Sequence, residues 1–388
     1  MIAAVVALAA RRLKLPYTVG LVLTGIGLTL LHVGEGAQLT PHLILEAFLP
    51  PLLFEAAIQL PWRDLRREAL PLLLLSTVGV LISAAVVTSG MIYFAHWPWR
   101  AALLLGVLIA ATDPVSVIAT FKESNVHGRV RLLVEAESLF NDGVAAVLFV
   151  IALAVALGTE PVTSGSALLQ VVKTAGGGIL TGLIVGGAGT LLAWRTTDYL
   201  VETTLTAVVA FGSFSLAEHW GASGVLATVT AGLVIGNVGI LRCSGDKATL
   251  TERGREVVLA FWDFAAFAAN SLIFLLIGLD TARKSFAQLG WLALVLAVVL
   301  TLAGRAVAVY SLCLPFAKSK LAISLPQQHV LFWGGMRGAL ALALALSLPG
   351  TLGHDRDRVV LAAFAVVAFS VVVQGVTMPL LLKRLKVS

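Results

Sequence analysis

The order of hydrophobic and polar positions divides the chain into apolar stretches, most of them long enough to cross a bilayer, separated by short segments rich in charge, proline or glycine. A hydrocarbon layer of about 30 Å takes roughly 20 apolar residues in helical form. This pattern predicts about thirteen helices, near residues 1–10, 17–33, 41–60, 70–95, 98–121, 129–157, 165–194, 199–219, 221–240, 253–280, 287–316, 326–349 and 357–382. The first stretch ends at Arg11 and Arg12, with no basic leader and no cleavage site, so a shortened first span is expected rather than a signal peptide. The fold class is therefore an all-α polytopic membrane protein of one domain.

Loop charges test that count. Segments after odd-numbered spans, with the C-terminal tail, hold 19 of the 27 Lys and Arg residues, whereas segments after even-numbered spans hold only Arg100, Arg283, Lys284, Arg356 and Arg358. Positive charge marks the cytoplasmic side, so the C-terminus is expected in the cytoplasm and the N-terminus outside, in a cell (inner) membrane. A miscounted span would scramble the alternation.

Two of the spans carry helix breaks. In ATDPVS, residues 111–116, Pro114 removes a backbone donor and pushes Asp113 away from helical geometry. In WGGMRGA, residues 333–339, three glycines surround Arg337 at membrane depth. The breaks lie seven spans apart, so units made of spans 1–6 and 8–13 would run in opposite directions. That predicts inverted repeats of about 1–157 and 199–388 joined by a span near 165–194, with a binding site at the paired breaks. Thr112 and Asp113 sit at the first break, where freed carbonyls can coordinate a cation; a plain proline kink is the alternative.

The strongest chemical signal is ESLFND, residues 137–142, inside an apolar helix. Glu137 and Asn141 are four apart, as are Ser138 and Asp142, so all four fall on one stripe. Asp142 would lie on the order of 18 Å into the span, near the midplane. A carboxylate there costs roughly 2.5–3.5 kcal/mol on insertion scales and marks an ion or proton path by default. It can hold either a proton or a small cation, and Ser138 one turn earlier can add a hydroxyl ligand. The bland readings are an aspartate paired with an arginine and a serine bonded to its own helix.

Composition removes other classes of function. With 59% hydrophobic and 12% charged residues and a mean hydropathy of +0.96, the chain is no soluble domain. The net charge of +6 resides mostly in the short loops, so it reads as a topology signal and no nucleic-acid partner is expected. Cys243 and Cys313 follow no metal or redox spacing, and no cofactor is expected.

The remaining intramembrane charges are weighed one by one. Glu55, within LPPLLFEAAIQL, is either a further acidic ligand or a glutamate facing a water-filled funnel. Arg305 needs a partner in hydrocarbon, and Glu137 is the best available; that pairing leaves Asp142 free. Arg337 is expected to neutralise Asp113 or the carbonyl ends of the broken twelfth span. Asp263, Glu218 and Lys173 are read as facing the bundle or the interface, and His96, His127 and His354 as solvated loop residues.

TDPVS, then ESLFND, then GGMRGA, in this order and spacing, resemble the sodium/proton exchanger group of the monovalent cation:proton antiporters, especially its bacterial NhaP-like branch and more distantly the animal plasma-membrane exchangers. ARRLKLPYTVGLVLTGIGL, residues 10–28, and LPPLLFEAAIQL fit the same pattern, so the resemblance covers essentially the whole chain. It implies thirteen spans with crossed broken helices, a homodimer in the lipid bilayer, and alternating access by a core moving against a dimerisation domain. It places the family's ligands for Na⁺, the transported substrate, on Asp142, Ser138, Thr112 and Glu55. Its helix-orienting asparagine falls on Asn141 and its buried ion pair on Glu137 and Arg305; Asp113 and Arg337 join them as supporting residues on the reading of the breaks above. The Asn-Asp pair implies electroneutral one-for-one exchange of Na⁺ or Li⁺ for H⁺. The rivals are a K⁺/H⁺ antiporter of the same fold, a carrier for another solute, a channel, and an intramembrane hydrolase. An enzyme is not expected: HExxH and Gly-x-Gly-Asp are absent, and the Asn-Asp pair leaves an aspartate dyad one short.

Overall fold

The computed structural model describes residues 5–6, 8, 12, 16–32, 39–114, 117–118, 120–121, 126–158, 164–240 and 250–385. Among them, every regular element is a helix. Twelve of the thirteen predicted spans coincide with helical segments; the first, near 1–10, lies outside the described residues except for Val5, Val6 and Leu8. Among the described residues, eight helices are long and apolar enough to cross a membrane, and three shorter apolar ones accompany them.

The chain forms two compact units. The first comprises Met1–Ile44, Glu68–Pro161 and Ser271–Ser388, and the second Leu45–Arg67 and Val162–Asn270.

In the first unit lie α1 (Tyr17–Leu30), α3 (Ala69–Ala95), α4 (Trp99–Leu108), α5 (Arg129–Leu157), α10 (Trp291–Phe316), α11 (Leu325–Gly334), α12 (Ala339–Leu346) and α13 (His354–Leu385). In the second lie α2 (Leu49–Gln59), α6 (Leu168–Ala193), α7 (Tyr199–His219) and α8 (Gly224–Ile240), while α9 (Glu252–Arg283) begins in the second and ends in the first. Local signals set the ends. Gly128 (φ 77°) precedes α5 and Gly158 (φ 67°) closes it, both in backbone regions that side chains disfavour. Ser324 and Gln327 form a capping box at the start of α11, and Asp198 caps α7 by accepting from Leu200 N at 2.8 Å.

Small residues let the helices close up. Gly304 of α10 faces the backbone of Ser83 in α3, and Gly25 of α1 meets Gly278 so tightly that a Cβ on either would strike the other helix's backbone. In the second unit Gly178, Gly182 and Gly186 of α6 form a ridge, one every four residues, against Ser223, Ala227 and Ala231 of the α8 segment. Such spacing is how membrane helices gain dispersion contacts without a hydrophobic driving force. Trp262 of α9, fully buried, packs on Phe54 of α2 at 4.6 Å between ring centroids and donates to Thr206 Oγ1 at 2.9 Å.

Both predicted breaks are present. The fifth span is not one helix: α4 stops at Leu108, residues 109–110 turn, and 111–114 run without helical bonding. In the twelfth, residues 335–338 separate α11 from α12.

Candidate functional site

The site grows from α5. Its position in an apolar helix forces the polar stripe of ESLFND to find partners inside the protein, and Glu137, Ser138, Asn141 and Asp142 are all buried. The stripe faces the two breaks of the first unit, which touch each other: Asp113 N donates to Met336 O at 2.7 Å.

Asn141 clamps the first break. Its Oδ1 accepts from Thr112 N at 3.1 Å, which fixes the orientation of the amide; its Nδ2 then donates to Thr112 Oγ1 at 2.6 Å and to Glu137 Oε1 at 3.2 Å. Thr112 Oγ1 in turn lies 3.0 Å from Ser138 Oγ. Two hydroxyls on neighbouring elements are thus held side by side, that of Ser138 one helical turn before Asp142.

Glu137 and Arg305 form a two-pronged ion pair, with Nη1 donating to Oε1 at 2.6 Å and Nη2 to Oε2 at 2.5 Å. Nη2 also donates to Leu331 O at 2.9 Å, so the guanidinium caps the carbonyl end of α11. Gln374, buried in α13, donates to Trp333 O at 3.0 Å and completes that cap.

Arg337 corrects an expectation. Its hydrogen bonds reach the other break: Nη1 donates to Ala110 O at 2.6 Å and Ala111 O at 2.9 Å, beyond the end of α4 in the fifth span. The physical reason is the contact between the breaks, which brings Arg337 to the other helix's carbonyl end while Arg305 already holds its own. The Asp113 carboxylate instead lies against Gly338, the residue before α12, where a Cβ would overlap it. An acidic group suits that helix start.

Asp142 is the carboxylate of this network with an unpartnered oxygen: its Oδ1 is buried and has no hydrogen-bond partner among the described residues, and Arg305 Nε and Arg337 Nε are also buried without one. The first unit therefore brings together Thr112, Asp113, Glu137, Ser138, Asn141, Asp142, Arg305 and Arg337. The ninth predicted residue, Glu55, belongs to the second unit, where Gln59 Nε2 donates to its Oε1 at 2.5 Å and to Asp263 Oδ1 at 3.3 Å.

Sequence reasoning set Asp263 aside and overlooked Gln59 and Gln374. The usable signals were Gln59 four residues after Glu55 and a glutamine inside an apolar span. Glu218 has a structural task, accepting from Gly224 N at 2.8 Å.

The family model described as "Sodium/hydrogen exchanger, transmembrane" matches residues 1–384. The Na(+)/H(+) antiporter ApNhaP of Aphanothece halophytica is 41% identical over 373 residues, covering 96% of this chain and 70% of that protein. The Na(+)/H(+) antiporter NhaH of Halobacillus dabanensis is 36% identical over 388 residues, covering 97% and 93%. The solved structure of the sodium proton antiporter MjNhaP1 from Methanocaldococcus jannaschii has the same fold, with a TM-score of 0.74 at 21% identity over 99% of this chain and 95% of that one. On the match along its length and the similarity of these relatives, the chain belongs to the sodium/hydrogen exchanger family of multi-pass membrane proteins.

Proposed function

We propose that the chain is a secondary active antiporter that exchanges Na⁺, and also Li⁺, for H⁺, one for one, at Asp142. The observation that carries this reading is the buried Asp142 carboxylate, with one oxygen unpartnered, beside two hydroxyls at the meeting of two unwound segments. The charges at the crossing support the stoichiometry. Arg305 and Arg337 stand against Glu137, Asp113 and Asp142, which leaves one formal negative charge in excess. One Na⁺ or one proton neutralises it, so the loaded carrier is uncharged with either substrate. Ser138 and Thr112 supply oxygen ligands to the cation. The relatives described as Na⁺/H⁺ antiporters support sodium over potassium. The breaks are read as counterparts in inverted repeats, about 1–157 and 199–388, and the protein as a homodimer in the cell membrane with a cytoplasmic C-terminus.

Dequenching of a pH-sensitive dye in everted vesicles on addition of Na⁺, Li⁺ or K⁺ tests the exchange; a response to K⁺ alone overturns the sodium reading. Because proton and cation share one carboxylate, the apparent KM for Na⁺ should rise by about tenfold for each unit that the pH falls while that group is mostly protonated. Exchange should slow at high pH too, since the return step needs a proton. In proteoliposomes under a valinomycin–potassium potential the rate should not change. A rate that follows the voltage rules out a single-carboxylate mechanism.

A further inference from the structure

Outside this site, the first unit contains an apolar groove of about 640 Å³ between α3, α4 and α5, lined by Leu81, Tyr93, Leu103, Val107, Leu148 and Val155 among others. Its size falls in the roughly 300–1,000 Å³ range of ligand pockets. The hydroxyls of Thr88 and Ser89 along it are already engaged: Thr88 Oγ1 donates to Ala102 O at 3.3 Å and Ser89 Oγ to Ala85 O at 2.6 Å. The lining therefore asks for hydrocarbon and not for hydrogen bonds. From Tyr93 to Leu81 along α3 is about 18 Å, close to the hydrocarbon depth of one leaflet.

The end of the groove nearest the α3–α4 turn has a different chemistry. Tyr93 is 75% exposed there. Arg100 falls on the same stripe of α4 as Leu103 and Val107, at spacings of three and seven residues. It is exposed, stacks on Trp99 at 5.5 Å, and has no carboxylate within ion-pair distance among the described residues. Tyr, Trp and Arg at a helix end are the groups that settle at headgroup level. We propose that the groove is a site for an anionic membrane phospholipid, one acyl chain lying between α3, α4 and α5 and the phosphate on Arg100. In the orientation proposed above this lipid belongs to the outer leaflet. It braces α4, the half-helix that leads into Thr112, and its binding does not depend on which ion is carried.

The test uses the full chain in vesicles with trace phosphatidylglycerol or phosphatidylcholine carrying a diazirine on one acyl chain, with labelled peptides mapped after illumination. Label from phosphatidylglycerol should concentrate on residues 81–93, 103–107 and 148–155, about fivefold above the exposed apolar segment 179–192. Ala85→Phe and Ser89→Leu, both at exposed lining positions, should each cut that label about threefold and leave segment 179–192 unchanged, which also shows that the fold is intact. Arg100→Gln should erase the preference for phosphatidylglycerol. Even labelling of both regions, or label that persists in both filled variants, means bulk lipid only and overturns the site. Equal labelling by the two lipids in the unsubstituted protein overturns the role of Arg100.

Discussion

Glu137 and Asp263 both put a carboxylate deep in an apolar helix, α5 and α9, yet their surroundings differ in kind. Glu137 is 1% exposed and held by both prongs of Arg305. Asp263 is exposed, and the partner it shares with Glu55 is the neutral amide of Gln59. A buried ion must be matched by a fixed opposite charge, because nothing else offsets the loss of water, whereas a carboxylate at the surface of the chain does not carry that burial cost within the protein. Asp142 belongs by burial with Glu137, but its Oδ1 lacks a partner. In the proposed reading its compensation is mobile: the transported ion itself.

The sharpest way to break this contrast is Asp142→Asn, which keeps size and polarity but removes the titrating group. Na⁺-dependent proton flux should fall to the background of empty vesicles while thermal stability stays near the unsubstituted value. Retained flux would place the exchanging carboxylate elsewhere. Next in size are Glu137→Ala and Arg305→Ala. Each leaves an unmatched buried charge and should lower stability by about 3–5 kcal/mol, with partial recovery in the double variant. Additive losses in that cycle would show that the two charges do not support each other. Asn141→Ala should cost less, about 1–3 kcal/mol, because it strands the buried N–H of Thr112 without stranding a charge. Asp263→Asn should change stability by less than about 1 kcal/mol, as expected for an exposed group. A loss there as large as that of Glu137→Ala would mean that both carboxylates obey one rule.

Much of this was legible in the order of residues, where hydrophobic periodicity and a single local chemistry decide the outcome. The span predicted at 129–157 has the bounds of α5 because a helical stretch, apolar but for its polar stripe and its first turn, is flanked by glycine on both sides. Pro114 and the glycines of 333–339 likewise announced their breaks. The partner of Arg337 was not legible. The freed carbonyls of both broken helices are chemically alike, and Ala110 is 227 residues away, so only the contact between the breaks decides which are capped. The tie from Asp263 to Gln59, across 204 residues, was hidden for the same reason. The π-helical turns, such as Leu74–Val78 in α3, left no mark either, since they depend on how neighbouring helices pack.

The glycines at the two ends of α5 have a consequence for engineering. Gly128 and Gly158 act as punctuation: the helix begins and stops there whatever the adjoining segments do. The register of Glu137, Ser138, Asn141 and Asp142 is therefore counted from within those 29 residues. Residues inserted before Gly128 or after Gly158, such as an epitope or a protease site, add length without rotating the stripe. A single residue inserted inside α5, between the start and Glu137, would turn all four side chains by about 100°. In that sense the helix is a self-contained cassette, open to change at its borders and closed to it within.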